Sequence, residues 1–152
     1  MKKAIVIYDT RFGNTEKIAR ALARGMEKQG VKVACVKVDE ADVDKLVEYD
    51  LLAIGGPTHR RNVSESMKAF LGKLKSVNLR GKKAFAFDTR YKHWLAGSAG
   101  KGIEKRLKRL RMSIIKPHSS AIVRYKKREG PLEEGMEEMF EQIGVEIEEL
   151  IR

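Results

Sequence analysis

Six residues near the start of the chain, Thr10-Arg11-Phe12-Gly13-Asn14-Thr15, are of the types that hold a phosphate group. They stand between a short apolar run and a segment with helical periodicity. At such a junction the first backbone N–H groups of the helix converge on an anion, and the helix dipole adds to the attraction. Gly13 lets the chain approach a ligand closely and tolerates a positive φ. Thr10, Asn14 and Thr15 offer further donors, and Arg11 offers a charge. The chemistry implied is binding of a phosphate monoester; the plainer alternative is a capped turn. Two more segments carry ligand-binding types. In Gly55-Gly56-Pro57-Thr58-His59-Arg60-Arg61-Asn62-Val63 the glycines leave room for a flat ring, unless the stretch is only a turn. In Asp88-Thr89-Arg90-Tyr91-Lys92-His93-Trp94-Leu95-Ala96-Gly97-Ser98, Tyr91 and Trp94 offer stacking faces for a planar ligand. Trp94 could instead fold back over the core.

Other chemistries fit less well. Residues 9–15 contain neither G-x-G-x-x-G nor the Walker lysine motif. Gly97-Ser98-Ala99-Gly100-Lys101-Gly102 has Leu95 where a Walker motif needs its first glycine, and no Ser or Thr follows the lysine. His59, His93 and His118 are far apart, which argues against a metal site. Ala96-Gly97-Ser98-Ala99-Gly100 stands too far beyond its strand for a nucleophile elbow, so Ser98 reads as a helix cap.

The elements that must position these segments alternate between strand and helix. Ala4–Tyr8 is an unbroken apolar run, expected of a strand buried on both faces. Residues 14–29 read as a helix with Ile18, Leu22 and Met26 inward. Residues 31–38 read as an edge strand and 42–47 as a short helix. Residues 51–54 read as a strand ended by Gly55-Gly56-Pro57. Residues 64–74 read as a helix capped by Ser64, with Met67, Phe70, Leu71 and Leu74 inward. Residues 84–87 form a fourth strand, and 99–111 a helix with Ile103, Leu107 and Leu110 inward. A fifth strand is interrupted around Pro117. Residues 132–151 read as the last helix, with Met136, Met139, Phe140, Ile143, Ile147 and Leu150 on its stripe and Glu133 and Glu134 in its first turn. Five strands alternating with helices predict a parallel sheet covered on both faces, with ligands outside the carboxyl ends of the strands.

The chain has 152 residues, a single domain's worth, of which 42% are hydrophobic. The 32 basic residues outnumber 21 acidic ones, for a net charge of +11. From Pro131 to Arg152 the balance reverses, to eight Glu and one Arg. A basic body favours an acidic protein partner, an anionic cofactor or nucleic acid; a heavily charged surface suited to solubility accounts for it equally well. The basic run from Lys101 to Arg111 reads first as a solvated helix face, and a nucleic-acid partner is not expected. One cysteine, Cys35, permits no intrachain disulfide and fits a reducing cytoplasm. The N-terminal apolar run is too short for a signal peptide, and no run approaches a membrane span.

The stretch Ile5-Val6-Ile7-Tyr8-Asp9-Thr10-Arg11-Phe12-Gly13-Asn14-Thr15-Glu16-Lys17-Ile18-Ala19, with Gly55-Gly56-Pro57-Thr58 and Glu129-Gly130-Pro131-Leu132-Glu133-Glu134-Gly135, resembles the flavodoxin family. The resemblance covers essentially the whole chain. It implies an α/β fold: a three-layer, doubly wound, five-stranded parallel sheet of order 2-1-3-4-5 with FMN at the switch point, flavodoxin being the standard example of that arrangement. It further implies that residues 10–15 hold the FMN phosphate and that Pro57, Thr58, His59, Arg60, Asn62, Asp88, Thr89, Arg90, Tyr91, Trp94 and Gly97 lie along or beside the isoalloxazine ring. The expected function is electron transfer to a redox partner protein, an acidic iron–sulfur protein or a reductase. The alternatives are an FMN-dependent NAD(P)H- or quinone-linked oxidoreductase, including one similar to protoporphyrinogen oxidase, and a binding module without FMN. Four departures stand out. Phe12 replaces a small or hydroxyl residue. The second segment has no Trp or Tyr, leaving His59 as a ring neighbour. The third opens on Asp88-Thr89-Arg90 instead of a glycine-rich turn. The chain is basic where the family is acidic. Arg60, Arg61, Arg90 and Lys92 near the ring would raise its reduction potential.

Overall fold

A computed structural model describes residues 2–125 and 129–152, apart from the side chains at 94, 125 and 129. Its centre is a sheet in the order β2-β1-β3-β5-β7-β8. The parallel members are β1 (Lys3–Tyr8), β2 (Lys32–Lys37), β3 (Leu51–His59), β5 (Lys83–Tyr91) and β7 (Ser119–Tyr125). Taken in chain order they give the expected 2-1-3-4-5. β8 (Glu129–Leu132) adds an antiparallel edge that periodicity did not predict. The short β4 (Asn62–Val63) folds back on β3, and β6 (Ser113–Ile114) pairs with β5 ahead of β7, the predicted interruption of the fifth strand. β2 lies at the opposite edge, as its mixed composition implied.

Strand alternation divides the buried side chains between two layers. Ala4, Val6, Tyr8, Phe85 and Phe87 join α1 (Asn14–Glu27) and α4 (Met136–Ile151) on one face. Ile5, Ile7, Leu52, Ile54, Ala84 and Ala86 meet α2 (Glu65–Lys73) and α3 (Ala99–Arg109) on the other. On α1, Ile18, Leu22 and Met26 are fully buried, each contributing about 1.5–3 kcal/mol of transfer free energy. Ser64 accepts from Met67 N at 3.3 Å and Ser98 from Lys101 N at 3.2 Å, so both predicted caps are made.

The sequence reading needs correction in two places. β3 and β5 do not stop at Ile54 and Phe87. They run on to His59 and Tyr91 because Gly56 and Pro57 pair with Asp88 and Thr89. Pro57 is tolerated there because β1's pairing with β3 has already ended at Tyr8–Gly55. The short helix read at 42–47 is present one residue further on, as a 3-10 helix, Val43–Glu48, with Asp42 as its cap. The last helix begins at Met136, since Leu132 pairs with Val123 in the sheet and Gly135 turns at φ 87°. Its first-turn acids are therefore Glu137 and Glu138. Met139 and Leu150 are exposed, while Ile151 and Glu148 are buried.

α1 and α4 cross at glycine. A Cβ on Gly25 would lie 1.9 Å from the carbonyl oxygen of Glu141, and one on Gly144 would lie 2.2 Å from that of Leu22. Around this contact the acidic last helix meets basic α1. Arg24 lies 3.8 Å from both Glu137 and Glu141, and Lys28 pairs with Glu141. The hydrogen bond from Lys28, aided by the charges of Lys28 and Arg24, holds the Glu141 carboxyl below its ordinary value of 4.5. A depressed carboxylate pKa stabilises the fold above the unfolded value, and that stability is lost as pH falls through the folded value. Glu141→Gln is therefore expected to lower Tm at neutral pH and to narrow its gap to the parent below pH 4.5. Parallel Tm curves for the two proteins across that range would count against the pairing.

Among the described residues no helix is long and apolar enough to cross a membrane.

Candidate functional site

The carboxyl ends of β1, β3 and β5 bring the three predicted segments into direct contact. Gly13, at φ 91°, precedes α1, and its N–H donates to Thr10 Oγ1 at 2.9 Å. This closes a compact loop at the helix N-terminus, where the first N–H groups have no intrahelical acceptor. Asn14 Nδ2 donates to Gly130 O at 2.8 Å, and Thr15 Oγ1 shares a buried 2.8 Å hydrogen bond with Thr89 Oγ1. Two expected phosphate donors thus also fasten the loop to β8 and β5. Phe12 does not plug the loop: it is 43% exposed, with the Arg11 guanidinium 5.3 Å from its ring centroid. Arg11 Nη1 also lies 2.9 Å from His59 Nδ1, joining the first segment to the second. Arginine is the donor in this contact, so His59 Nδ1 accepts.

In the second segment Gly55 does not leave room for a ligand ring. Its missing Cβ admits Phe87, whose ring would lie 2.3 Å from it. Gly56, with only ordinary contacts around it, is the freer of the two. His59-Arg60-Arg61-Asn62 is a two-residue hairpin turn with Arg60 at φ 47° and Arg61 at φ 70°. The turn reaches the third segment, where Arg61 bridges to Gly97. Gly97, at φ 74°, admits no side chain, since a Cβ would lie 2.5 Å from Arg61 O. Thr58 Oγ1 accepts from Ala99 N at 3.0 Å.

Asp88 is fully buried. Its Oδ2 accepts from Ser98 Oγ and from Gly100 N at 2.8 Å, so it seats the start of α3 on β5. A glycine-rich turn would lack that anchor. Asp88 Oδ1 and Arg90 Nε are buried with no hydrogen-bond partner among the described residues. Such orphans normally mark an absent partner. Arg90 Nη2 reaches His93 O at 3.4 Å, and Tyr91 is half-buried. The Trp94 side chain lies outside the described residues. Tyr91, Leu95 and Val123 border a largely apolar cleft of about 710 Å³, within the range of small-molecule sites. Glu133 lines it too, a residue that helical periodicity had placed on α4. Sequence reasoning also missed Asp9, whose Oδ2 accepts from Ser64 Oγ at 2.6 Å and Ser66 Oγ at 2.8 Å and so fixes α2 against β1. Cys35 stands on the edge strand β2, where burial pushes its thiol up to about 11, the pattern of a packing residue.

These residues fit FMN. The loop after β1 suits a phosphate, and the largely apolar cleft walled by the third segment and β7 has a size that suits a flat ring.

A parallel sheet of this order belongs to the doubly wound α/β class, whose ligands sit beyond the carboxyl ends of the strands, and the family model of flavodoxin matches residues 6–143. The chain belongs to the flavodoxin family, whose members bind flavin. It is 45% identical over 71 residues to a flavodoxin of Aquifex aeolicus, covering 46% of this chain and 38% of that protein. It is 31% identical over 88 residues to the flavodoxin of Clostridium saccharobutylicum, covering 57% and 55%. The chain thus spans less than two thirds of either relative. Over 98% of both chains it superposes on the structure of a flavodoxin from the domain Archaea, with a TM-score of 0.84 and 25% identity.

Proposed function

We propose that this chain binds FMN non-covalently as a single domain and passes electrons between protein partners in a reducing cytoplasm. The observation that carries the reading is the convergence of the three segments, joined by Arg11–His59, Thr15–Thr89 and Arg61–Gly97, at the carboxyl ends of the strands.

FMN, when bound, supplies the electron chemistry, so no side chain need act as acid or base. The chain's task is to bind, orient and shield. The loop 10–15 would hold the phosphate through its backbone N–H groups, with Thr10 Oγ1 placed to add a donor. Pro57, Thr58, His59, Arg60 and Asn62 would flank the ring on one side. Asp88, Thr89, Arg90, Tyr91, Trp94 and Gly97 would flank it on the other. The net charge of +11 favours an acidic redox partner, an iron–sulfur protein or a reductase.

The test is titration of the flavin-free full chain with FMN. The expected result is stoichiometric quenching of flavin fluorescence and a protein-bound flavin spectrum. Free FMN unchanged in both signals overturns the reading. Rapid bleaching of the bound flavin by NAD(P)H alone would establish a reductase instead of a carrier.

A further inference from the structure

The basic residues of this chain are not spread evenly. Five of them, Arg61, Lys101, Lys105, Arg106 and Arg109, line one cleft of about 460 Å³ between the β3–β4 turn and α3. A second cleft of about 470 Å³ between α2 and α3 shares Arg106 and Arg109 and adds Lys68 and Lys75. The two form one concave surface, and no acidic residue lines either part.

The acids nearby are engaged elsewhere. Glu104 of α3 accepts from His118 N at 3.1 Å, faces His118 Nδ1 at 3.4 Å, and pairs with Lys108 at 3.7 Å. Glu65 lies 3.4 Å from Lys68. Among the described residues Arg61, Lys101, Lys105 and Arg109 have no ion-pair partner within 4 Å. Apart from the Lys68–Glu65 pair, the surface therefore gathers like charges without compensation, which costs stability.

A second observation is backbone strain. Arg60 and Arg61 both hold positive φ, at 47° and 70°. Glycine and asparagine occupy such turn positions readily, whereas a long side chain such as arginine is strained there. In that conformation Arg61 meets Gly97 at the rim of the first cleft.

We propose that this concave face is the docking surface for an acidic protein that exchanges electrons with the flavin. The inference rests on the flavin reading above. Its first cleft includes Asn62 and Gly97, residues of the two segments assigned to the ring, so a protein seated there abuts the redox site. A nucleic acid would gain nothing from that adjacency. The clefts also offer no aromatic platform: beyond charged and small residues their linings hold only Leu71 and Leu110.

The experiment measures binding of an acidic plant-type [2Fe–2S] ferredoxin to the full chain by calorimetry, with FMN content recorded separately from the flavin spectrum. Binding is expected to weaken at least tenfold as salt rises from low to physiological strength. The double variant Lys105→Glu/Arg109→Glu is expected to lose a further tenfold or more while taking up FMN as before. Lys2→Glu/Lys32→Glu reverses the same charge at the amino-terminal ends of β1 and β2 and is expected to lose less than threefold. Absent binding, or equal losses in the two double variants, overturns the docking surface. Tighter binding of a duplex oligonucleotide than of ferredoxin at the same salt, abolished by Lys105→Glu/Arg109→Glu, overturns the protein partner. A failed flavin spectrum overturns the flavin reading independently of these outcomes.

Discussion

Gly144→Ala is expected to destabilise the fold by about 3 kcal/mol, seen as a drop in Tm of about 10 °C. The new Cβ would stand 2.2 Å from Leu22 O and 2.9 Å from Met26 N, both backbone atoms of α1. Backbone cannot swing aside as a side-chain tip can, so α1 and α4 must part. Parting them loosens Phe140, Ile143 and Ile147 against Leu22 and Met26, all in one core layer. The gain of roughly 1 kcal/mol from replacing a helical glycine with alanine offsets only part of this loss. Gly25→Ala, whose Cβ would meet Glu141 O at 1.9 Å, is expected to behave alike. Gly72→Ala is the contrasting control. It also lies in a helix, but its Cβ would meet nothing within 4 Å, so that variant gains the helical preference and is expected to raise Tm. If all three alanines shift Tm in the same direction, close helix packing is not what retains the first two glycines.

The second large effect concerns the ligand. Riboflavin, which lacks the phosphate, is expected to bind at least about 100-fold more weakly than FMN. Charge-assisted hydrogen bonds contribute about 1.5–3 kcal/mol each, so losing two of them is enough for that ratio. The donors in question are the first backbone N–H groups of α1, presented by a loop that Gly13 N and Thr10 Oγ1 hold closed. Gly13→Val should reproduce much of the loss with FMN itself. A β-branched residue cannot sit easily at φ 91°, even though there is open space around the position. Comparable affinities for the two flavins, measured by fluorescence titration, would remove the phosphate from this loop.

Much of this arrangement is legible in the amino-acid order, and the exceptions share a cause. Ile5-Val6-Ile7 and Ile18, Leu22 and Met26 announce their elements because local periodicity and tertiary burial agree there. Gly55-Gly56-Pro57 and Asp88-Thr89-Arg90 read as breakers because propensity is a local quantity. Pairing Gly56 with Asp88 and Pro57 with Thr89 is a distant one, and it prevails. Leu132-Glu133-Glu134 has the composition of a helix start, yet Leu132 belongs to β8. Within the site, the loop after β1 is recognisable from residue types alone. The anchoring of Asp88 to Ser98 and Gly100 is not, because its partners stand ten and twelve residues further on.

The crossing of α1 and α4 has a consequence beyond stability. α1 is a rod about 20 Å long whose first turn borders the loop proposed for the phosphate and whose far end rests on Gly144. The glycine crossing acts as a fulcrum: a small tilt there swings the opposite end through a larger arc. With FMN bound at that loop, substitutions along α4 would be expected to change its affinity from a distance.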